Sequence, residues 1–367
     1  MSLSLHLFRD RLPMKKPEKS KKTKKNKRGV IKILLWLVLM AVLAAALVAW
    51  TAQWYARQPL KVKRGSTEFT IPRGMAMRQA ANVVWNSGVA VDPRFLSLLA
   101  RLSGRAQQIK AGTYQVKAGI TPWDLIIKLE SGDVARGKVL LVEGWTFRQM
   151  RAALEKHPDL EPDTKDLSEA EILARIGASE KQLEGLFFPN TYVFNKRDSA
   201  SSVFVQAYRK MQERLNREWE GRARDLPLKS PYEALILASI VEKETGRDDE
   251  RTRIANVFIN RLRVGMKLQT DPTVIYGMGE KYAGKLRSRD LEADTPWNTY
   301  TRTGLPPTPI ALPGMASLRA VMHPEGGDML YFVARGDGSS QFSRTLAEHN
   351  RAVDRYQRNK KTPNPGN

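Results

Sequence analysis

From Ile33 to Trp50 the chain runs ILLWLVLMAVLAAALVAW, eighteen apolar residues without a charge, and no other feature narrows its possible folds as far. At 1.5 Å per residue this helix would span roughly 27 Å, close to the hydrocarbon thickness of a bilayer. Lys32 can snorkel to the headgroups at one end, and Trp50, Trp54 and Tyr55 supply an aromatic belt at the other. Residues 29–51 are therefore expected to be a single transmembrane helix. The leader, residues 1–28, holds 11 Lys or Arg against Asp10 and Glu18, a net +9. The positive-inside rule places that leader in the cytoplasm and everything beyond about residue 52 across the membrane. A cleaved signal peptide is the competing reading. It needs a shorter apolar core and a small-residue cleavage site, of which Ala-Trp-Thr-Ala-Gln is a poor version.

The whole chain carries a net charge of +23 in 367 residues, which leaves +14 beyond the leader. That excess suits an acidic cell-envelope polymer or an anionic membrane surface. Nucleic acid, which so basic a chain would otherwise invite, is on the wrong side of the membrane and is not expected as a partner. With no cysteine and four scattered histidines, neither a disulfide framework nor a metal site is expected, and nothing points to a cofactor.

Beyond a short link, helix and strand periodicity suggests a small unit within residues 52–135 and a larger α+β domain over 136–358. The small unit reads strand (68–71), helix (77–86), helix (95–102), strand (110–116), then a helix capped by Thr121. This order loosely resembles a LysM-like module, a small glycan-binding fold. Trp85, Tyr114 and Trp123 are its candidates for stacking on sugar rings, with core packing as the alternative use of each. The larger domain reads strand (139–142), helices over 146–154, 168–176, 202–219, 231–246 and 250–263, a hairpin over 329–343 and a last helix over 346–358. Residues 359–367, charged and without an apolar face, read as a disordered tail.

The segment PYEALILASIVEKETG, Pro231 to Gly246, has Ser230 as N-cap, Pro231 at the first helical position and Gly246 as a stop. At 100° per residue, Leu235, Ile236, Leu237, Ile240 and Val241 share one arc, and Glu244 falls in its middle. Glu242 points the opposite way, beside Ala238 and Ser239. A carboxyl group in apolar surroundings resists ionisation, and one that keeps its proton near neutrality is what a general acid needs. The alternative is a shifted register, with Glu244 on a solvated last turn. Downstream, Gln269, Thr270 and Asp271 lie on one loop, with Pro272 opening a helix that holds Tyr276. Asn298 and Tyr300 lie on a second loop. Amides, hydroxyls and carboxylates hydrogen-bond sugar hydroxyls, and tyrosines cover the apolar faces of sugar rings. Turn chemistry explains each of these residues singly; together they make a candidate substrate-binding set for a catalytic Glu244.

LASIVEKET (237–245), FINRLRVGMKLQTDPTVIYG (258–277), NTYTRTGLPPTPIALPG (298–314) and EGLFFPNTY (184–192) resemble the signature blocks of the MltG (YceG-like) family of membrane-anchored endolytic murein transglycosylases. The resemblance covers residues 65–355. It implies a single-pass inner-membrane protein with a periplasmic catalytic domain and a catalytic glutamate at Glu244. It also implies cleavage of the MurNAc-β-1,4-GlcNAc bond within glycan strands to leave 1,6-anhydroMurNAc ends, terminating glycan elongation beside peptidoglycan synthases. Asp271 and Glu184 would serve only as positioning groups. A water-using muramidase and a non-catalytic peptidoglycan-binding scaffold remain the alternatives.

Overall fold

The computed structural model describes residues 23–358, so the tail and most of the basic leader lie outside it. Helix α1, Thr23–Ala56, contains the apolar run and extends it to the aromatic residues at its end. Its Gly29–Ala56 portion is long and apolar enough to cross a membrane. The described residues then divide into two compact units, one up to residue 111 with 115–133, the other 112–114 and from 134 onward.

The first unit holds β1 (Ser66–Ile71), the 115–117 end of its partner strand β2 (Gly112–Lys117), and the helices α2 (Met77–Asn86), α3 (Pro93–Leu102) and α4 (Pro122–Ser131). The starts of α3 and α4 follow from their caps. Asp92 accepts the amides of Arg94 and Phe95 at 2.7 and 3.2 Å, and Thr121 accepts that of Asp124 at 3.1 Å. Each is followed by proline at the first helical position, which has no amide to lose. Val84, Leu96, Ala100, Leu125, Ile126 and Leu129 are wholly buried, and so is Tyr114, which is thus core and not a sugar platform. Trp85 and Trp123 stay partly exposed.

The second unit is a mixed α/β structure. Strand β3 (Arg136–Leu140) pairs antiparallel with β5 (Thr191–Asn195), Val139 opposite Tyr192. The sequence reading set β3 three residues late. Exposed Arg136 and Lys138 alternate with buried Gly137 and Val139, and at Gly137 a side chain would strike the Phe194 ring. Helices α5 (Phe147–Glu155), α6 (Glu169–Ile176) and α7 (Ala200–Glu220) follow their expected positions. Between them the two-residue strands β4 (Leu160–Glu161) and β6 (Asp198–Ser199) pair in parallel, too short for a periodicity to reveal. Then come α8 (Pro231–Glu244), α9 (Asp248–Arg263), α10 (Asp271–Met278), α11 (Ser288–Glu292), α12 (Met315–Met322), the β7–β8 hairpin (Tyr331–Ala334, Ser340–Ser343) and α13 (Leu346–Val353). The expected last helix stops early, since its final turn, 354–358, widens to a π form. Helices α11 and α12 are absent from the sequence reading. The second is central, packing against α7, α8 and α9.

The core joins Phe147, Phe187 and Phe204, whose ring centroids lie 5.4–5.9 Å apart, to the buried faces of α7, α8, α9 and α12. Gly185 turns the chain into this aromatic cluster at φ +79°, with the Pro309 ring where a Cβ would stand. Gly185→Ala therefore combines backbone strain with overpacking. The expected cost is about 2 kcal/mol, a fall of roughly 4–8 °C in the melting temperature of this unit by calorimetry.

Candidate active site

Helix α8 starts as its sequence demands. Ser230 accepts the Glu233 amide at 3.2 Å, and Pro231 takes the first position. From Ala234 to Val241, however, every residue is buried. The helix has no polar face to set against an apolar stripe; it is enclosed all round. Ser239, read as lying on the face away from the stripe, is fully buried, bonding the Ile236 carbonyl at 2.7 Å and the Ile310 amide at 2.9 Å.

Apart from Glu233 in the first turn, charge appears only in the last turn, where three consecutive residues fasten to three different segments. Glu242 accepts the Gly314 amide at 2.9 Å and the Ser317 hydroxyl at 2.7 Å, capping α12. Lys243 donates to the Gly144 carbonyl at 3.3 Å. Glu244 accepts a hydrogen bond from the Thr270 hydroxyl. The helix ends at Glu244, two residues before the expected glycine stop, because Thr245 is already extended.

Glu244 is half-buried at this exit from the core. Loss of solvation pushes its carboxyl pKa up, and Asp271 pushes the same way; the Thr270 hydroxyl and the Arg261 guanidinium pull it down. Thr270 is buried and braced. Its amide donates to the Thr299 hydroxyl at 3.1 Å, its carbonyl accepts the Thr273 hydroxyl at 2.7 Å, and Thr273 and Thr299 meet at 2.8 Å. Exposed Asp271 is the first residue of α10, not a loop residue as read, and accepts the Tyr300 hydroxyl at 2.6 Å. Gln269, exposed beside them, holds φ +49° while its amide donates to the Thr299 carbonyl at 3.1 Å. A non-glycine residue in that region is strained, and such strain collects at functional sites. Glu244, Thr270, Asp271 and Tyr300 thus form one group, with Gln269 at its edge.

Two members of the expected binding set lie elsewhere. Asn298 is fully buried. Its Nδ2 donates to the carbonyls of Leu291 and Ala293 at 2.9 and 2.7 Å, and its Oδ1 accepts the Tyr300 amide at 2.8 Å, so the carboxamide is spent inside its own loop. Tyr276, more than a full turn beyond Asp271 on α10, bonds Glu184 and packs edge-on against Trp297 at 5.5 Å. Glu184, buried, also accepts the Phe147 amide at 2.9 Å, and burial lifts its pKa to about 7. Both line a cavity of about 660 Å³, along with Lys243, Pro272, Tyr282 and Trp297. Since Lys243 and Pro272 adjoin Glu244 and Asp271 in the chain, the cavity lies on the flank of the acid.

Arg261 was not singled out in the sequence. It is buried on α9, donating to the carbonyls of Leu330 and Leu268 at 2.7 and 2.6 Å. The signal was present, for Arg261 continues the stripe of Ile254, Val257 and Phe258 just as Glu244 continues that of α8.

A family model described as the YceG-like family matches residues 69–355. An endolytic murein transglycosylase of Bacillus subtilis is 31% identical over 320 residues, covering 81% of this chain and 86% of its own. One of Streptococcus pneumoniae is 26% identical over 320 residues, covering 77% of this chain but 57% of the relative. The crystal structure of a yceG-like protein from Listeria monocytogenes, 31% identical, superposes with a TM-score of 0.50 over 78% of this chain and 98% of its own.

Two outcomes follow from the site's electrostatics. Thr270→Val removes a donor that favours the anion, so the Glu244 pKa moves higher still, read by carbon-13 NMR of labelled glutamate carboxyls. Glu184 binds its proton more tightly folded than unfolded, so its contribution to stability is present below pH 4.5 and is lost as pH rises toward about 7. Glu184→Gln keeps the hydrogen bonds and removes the titration. Its stability should then be flatter than wild type across that window, the difference reaching about 3 kcal/mol at most in urea titrations.

Proposed function

The chain belongs to the YceG-like family, and from that membership and the setting of Glu244 we propose that it is an endolytic lytic transglycosylase of peptidoglycan. It cuts the MurNAc-β-1,4-GlcNAc bond within a strand and leaves a 1,6-anhydroMurNAc end. The observation that carries this reading is a glutamate at the exit of a buried helix, bonded by the Thr270 hydroxyl, whose carboxyl pKa is raised by loss of solvation and by Asp271 and lowered by Thr270 and the Arg261 guanidinium.

Glu244 protonates the glycosidic oxygen as the bond to the leaving GlcNAc breaks. As carboxylate it then takes the proton of the MurNAc C6 hydroxyl, whose oxygen closes on C1. Acid and base are the same residue in succession, so no second carboxylate has to activate water. Asp271 and Tyr300 position the sugar at the mouth of the site, and Gln269 offers an exposed amide. Thr270 and Asn298 act as braces. Tyr276 belongs to the flanking cavity, with Glu184 as a positioning group.

Helix α1 is the single-pass anchor, with the N-terminus in the cytoplasm and the catalytic unit in the periplasm. The first unit is a LysM-like glycan-binding module. Its support is a groove of about 630 Å³ between the loop after β1 and the segment after α3, lined by Met75, Arg78, Arg101, Gln107 and Ile109. Termination of strands during cell-wall assembly places the enzyme beside peptidoglycan synthases.

Digestion of purified sacculi with mass spectrometry of the fragments tests the reaction. Wild type should release anhydro ends, and Glu244→Gln should lose at least about 10³-fold in rate while still binding glycan. Reducing ends would instead make it a muramidase, with Asp271 as the second carboxylate. No cleavage by wild type would leave a binding scaffold.

A further inference from the structure

Helix α3 has two apolar faces. With Phe95 at zero and 100° per residue, Leu96 and Ala100 fall near 100° and 140° and are wholly buried in the first unit. Phe95, Leu98, Leu99 and Leu102 fall within an arc of about 100° on the other side. Phe95 and Leu99 are half-buried there. Leu98 and Leu102 are left 51% and 76% exposed.

The end of α1 covers the first pair. The Tyr55 ring meets Phe95 edge-on at 4.2 Å. Leu99 and Trp123 line one crevice of about 400 Å³ with Ala49, Ala52, Gln53, Ala56 and Arg57. Ala49 stands one residue before the end of the eighteen-residue apolar run. The eight residues from there to Arg57 rise about 12 Å, enough to pass from the hydrocarbon edge through a headgroup layer. The α3 stripe therefore begins against the aromatic-belt turns of α1 and continues outward from them, uncovered. Arg94 and Arg101 border it at about 260° and 240°, both exposed, and α3 itself contains no acidic residue.

We infer that this stripe rests in the outer headgroup layer of the membrane that α1 crosses, with Leu98 and Leu102 among the upper acyl chains and Arg94 on phospholipid phosphates. An amphipathic helix with an apolar stripe, a basic border and a neighbouring anchor has the composition of an interfacial helix. The occupant is the anionic phospholipid surface, and the consequence is a first unit held against the bilayer instead of swinging from its anchor. The inference rests on the reading of α1 as a membrane span.

The chain has no cysteine, so single labelling sites are clean. Leu98→Cys, Leu102→Cys, Val42→Cys and Gln115→Cys in the full-length protein would each carry a nitroxide, reconstituted in phosphatidylglycerol–phosphatidylethanolamine bilayers. Collision with oxygen, which partitions into lipid, is compared with collision with a water-soluble nickel chelate. The oxygen-to-chelate ratio should be above one at 42, 98 and 102 and below one at 115, on an exposed strand position. Ratios at 98 and 102 that match position 115 would overturn the inference and leave the anchor intact. Shielding of both positions from both reagents would overturn it too, since a protein surface, such as a second copy, would then cover the stripe. A water-exposed position 42 would remove the anchor and the inference together.

Discussion

Between Ala234 and Val241 helix α8 touches no water, and the rest of the catalytic-sized unit is arranged around that burial. A helix enclosed all round can carry charge only where it leaves the core. Glu242, Lys243 and Glu244 mark that exit, and the surrounding segments are fixed by what these three side chains bind: the start of α12, the Gly144 turn and the Thr270 loop. The carboxylate of Glu242 at the α12 N-terminus meets the free amides and the positive end of a helix. Glu143 lies against Gly314, also at that terminus, and is pushed toward its neutral form by burial and by the Glu242 charge. Fixing Glu242 fixes the azimuth of Glu244, since the two share one helical turn. The position of the acid therefore depends on a contact it does not itself make.

Two glutamates, buried Glu184 and half-buried Glu244, flank α10 in different electrostatic settings. Glu184 is met by a backbone amide and the Tyr276 hydroxyl, with no cation among the groups that set its pKa. Glu244 has a hydroxyl donor, an arginine and a second carboxylate all acting on it. Burial raises both. Only at Glu244 do nearby charges act in both directions, Asp271 with the burial effect and Arg261 against it.

Much of this was legible in the sequence because it is local. The caps at Asp92, Thr121 and Ser230, the apolar run into Trp50 and the strand alternation of the hairpin all follow from residues within a few positions of one another. The wheel singled out Glu244 as the candidate acid, though its premise, an apolar stripe against a polar face, does not describe α8. What stayed hidden depends on distant partners. Helix α12 is eight residues long and starts at a glycine with no capping side chain; its cap is Glu242, 72 residues earlier. Asn298 has the composition of a sugar-binding loop, and only the fold turns its amide inward. Tyr276 and Asp271 look adjacent in sequence, yet five residues of helix turn them about 140° apart.

A residue that must first give a proton and then take one is poorly served by an environment with a single bias. Burial alone would hold Glu244 protonated and make it a poor base; a close cation alone would hold it ionised and make it a poor acid. In the proposed reaction both demands fall on one carboxyl group within a turnover, and the site opposes desolvation and Asp271 on one side with Thr270 and Arg261 on the other. Arg261 is suited to its part because its guanidinium is itself buried and held by two backbone carbonyls. It can therefore stabilise developing negative charge without collapsing onto the carboxylate in a direct ion pair, which would fix the charge for good. In that proposed reaction a single glutamate serves both steps, with burial and Asp271 favouring its neutral form and Thr270 and Arg261 favouring its anion. The Thr270 loop, which supplies the hydroxyl bonded to Glu244 and leads into Asp271, therefore sets much of the electrostatic environment of that carboxyl group.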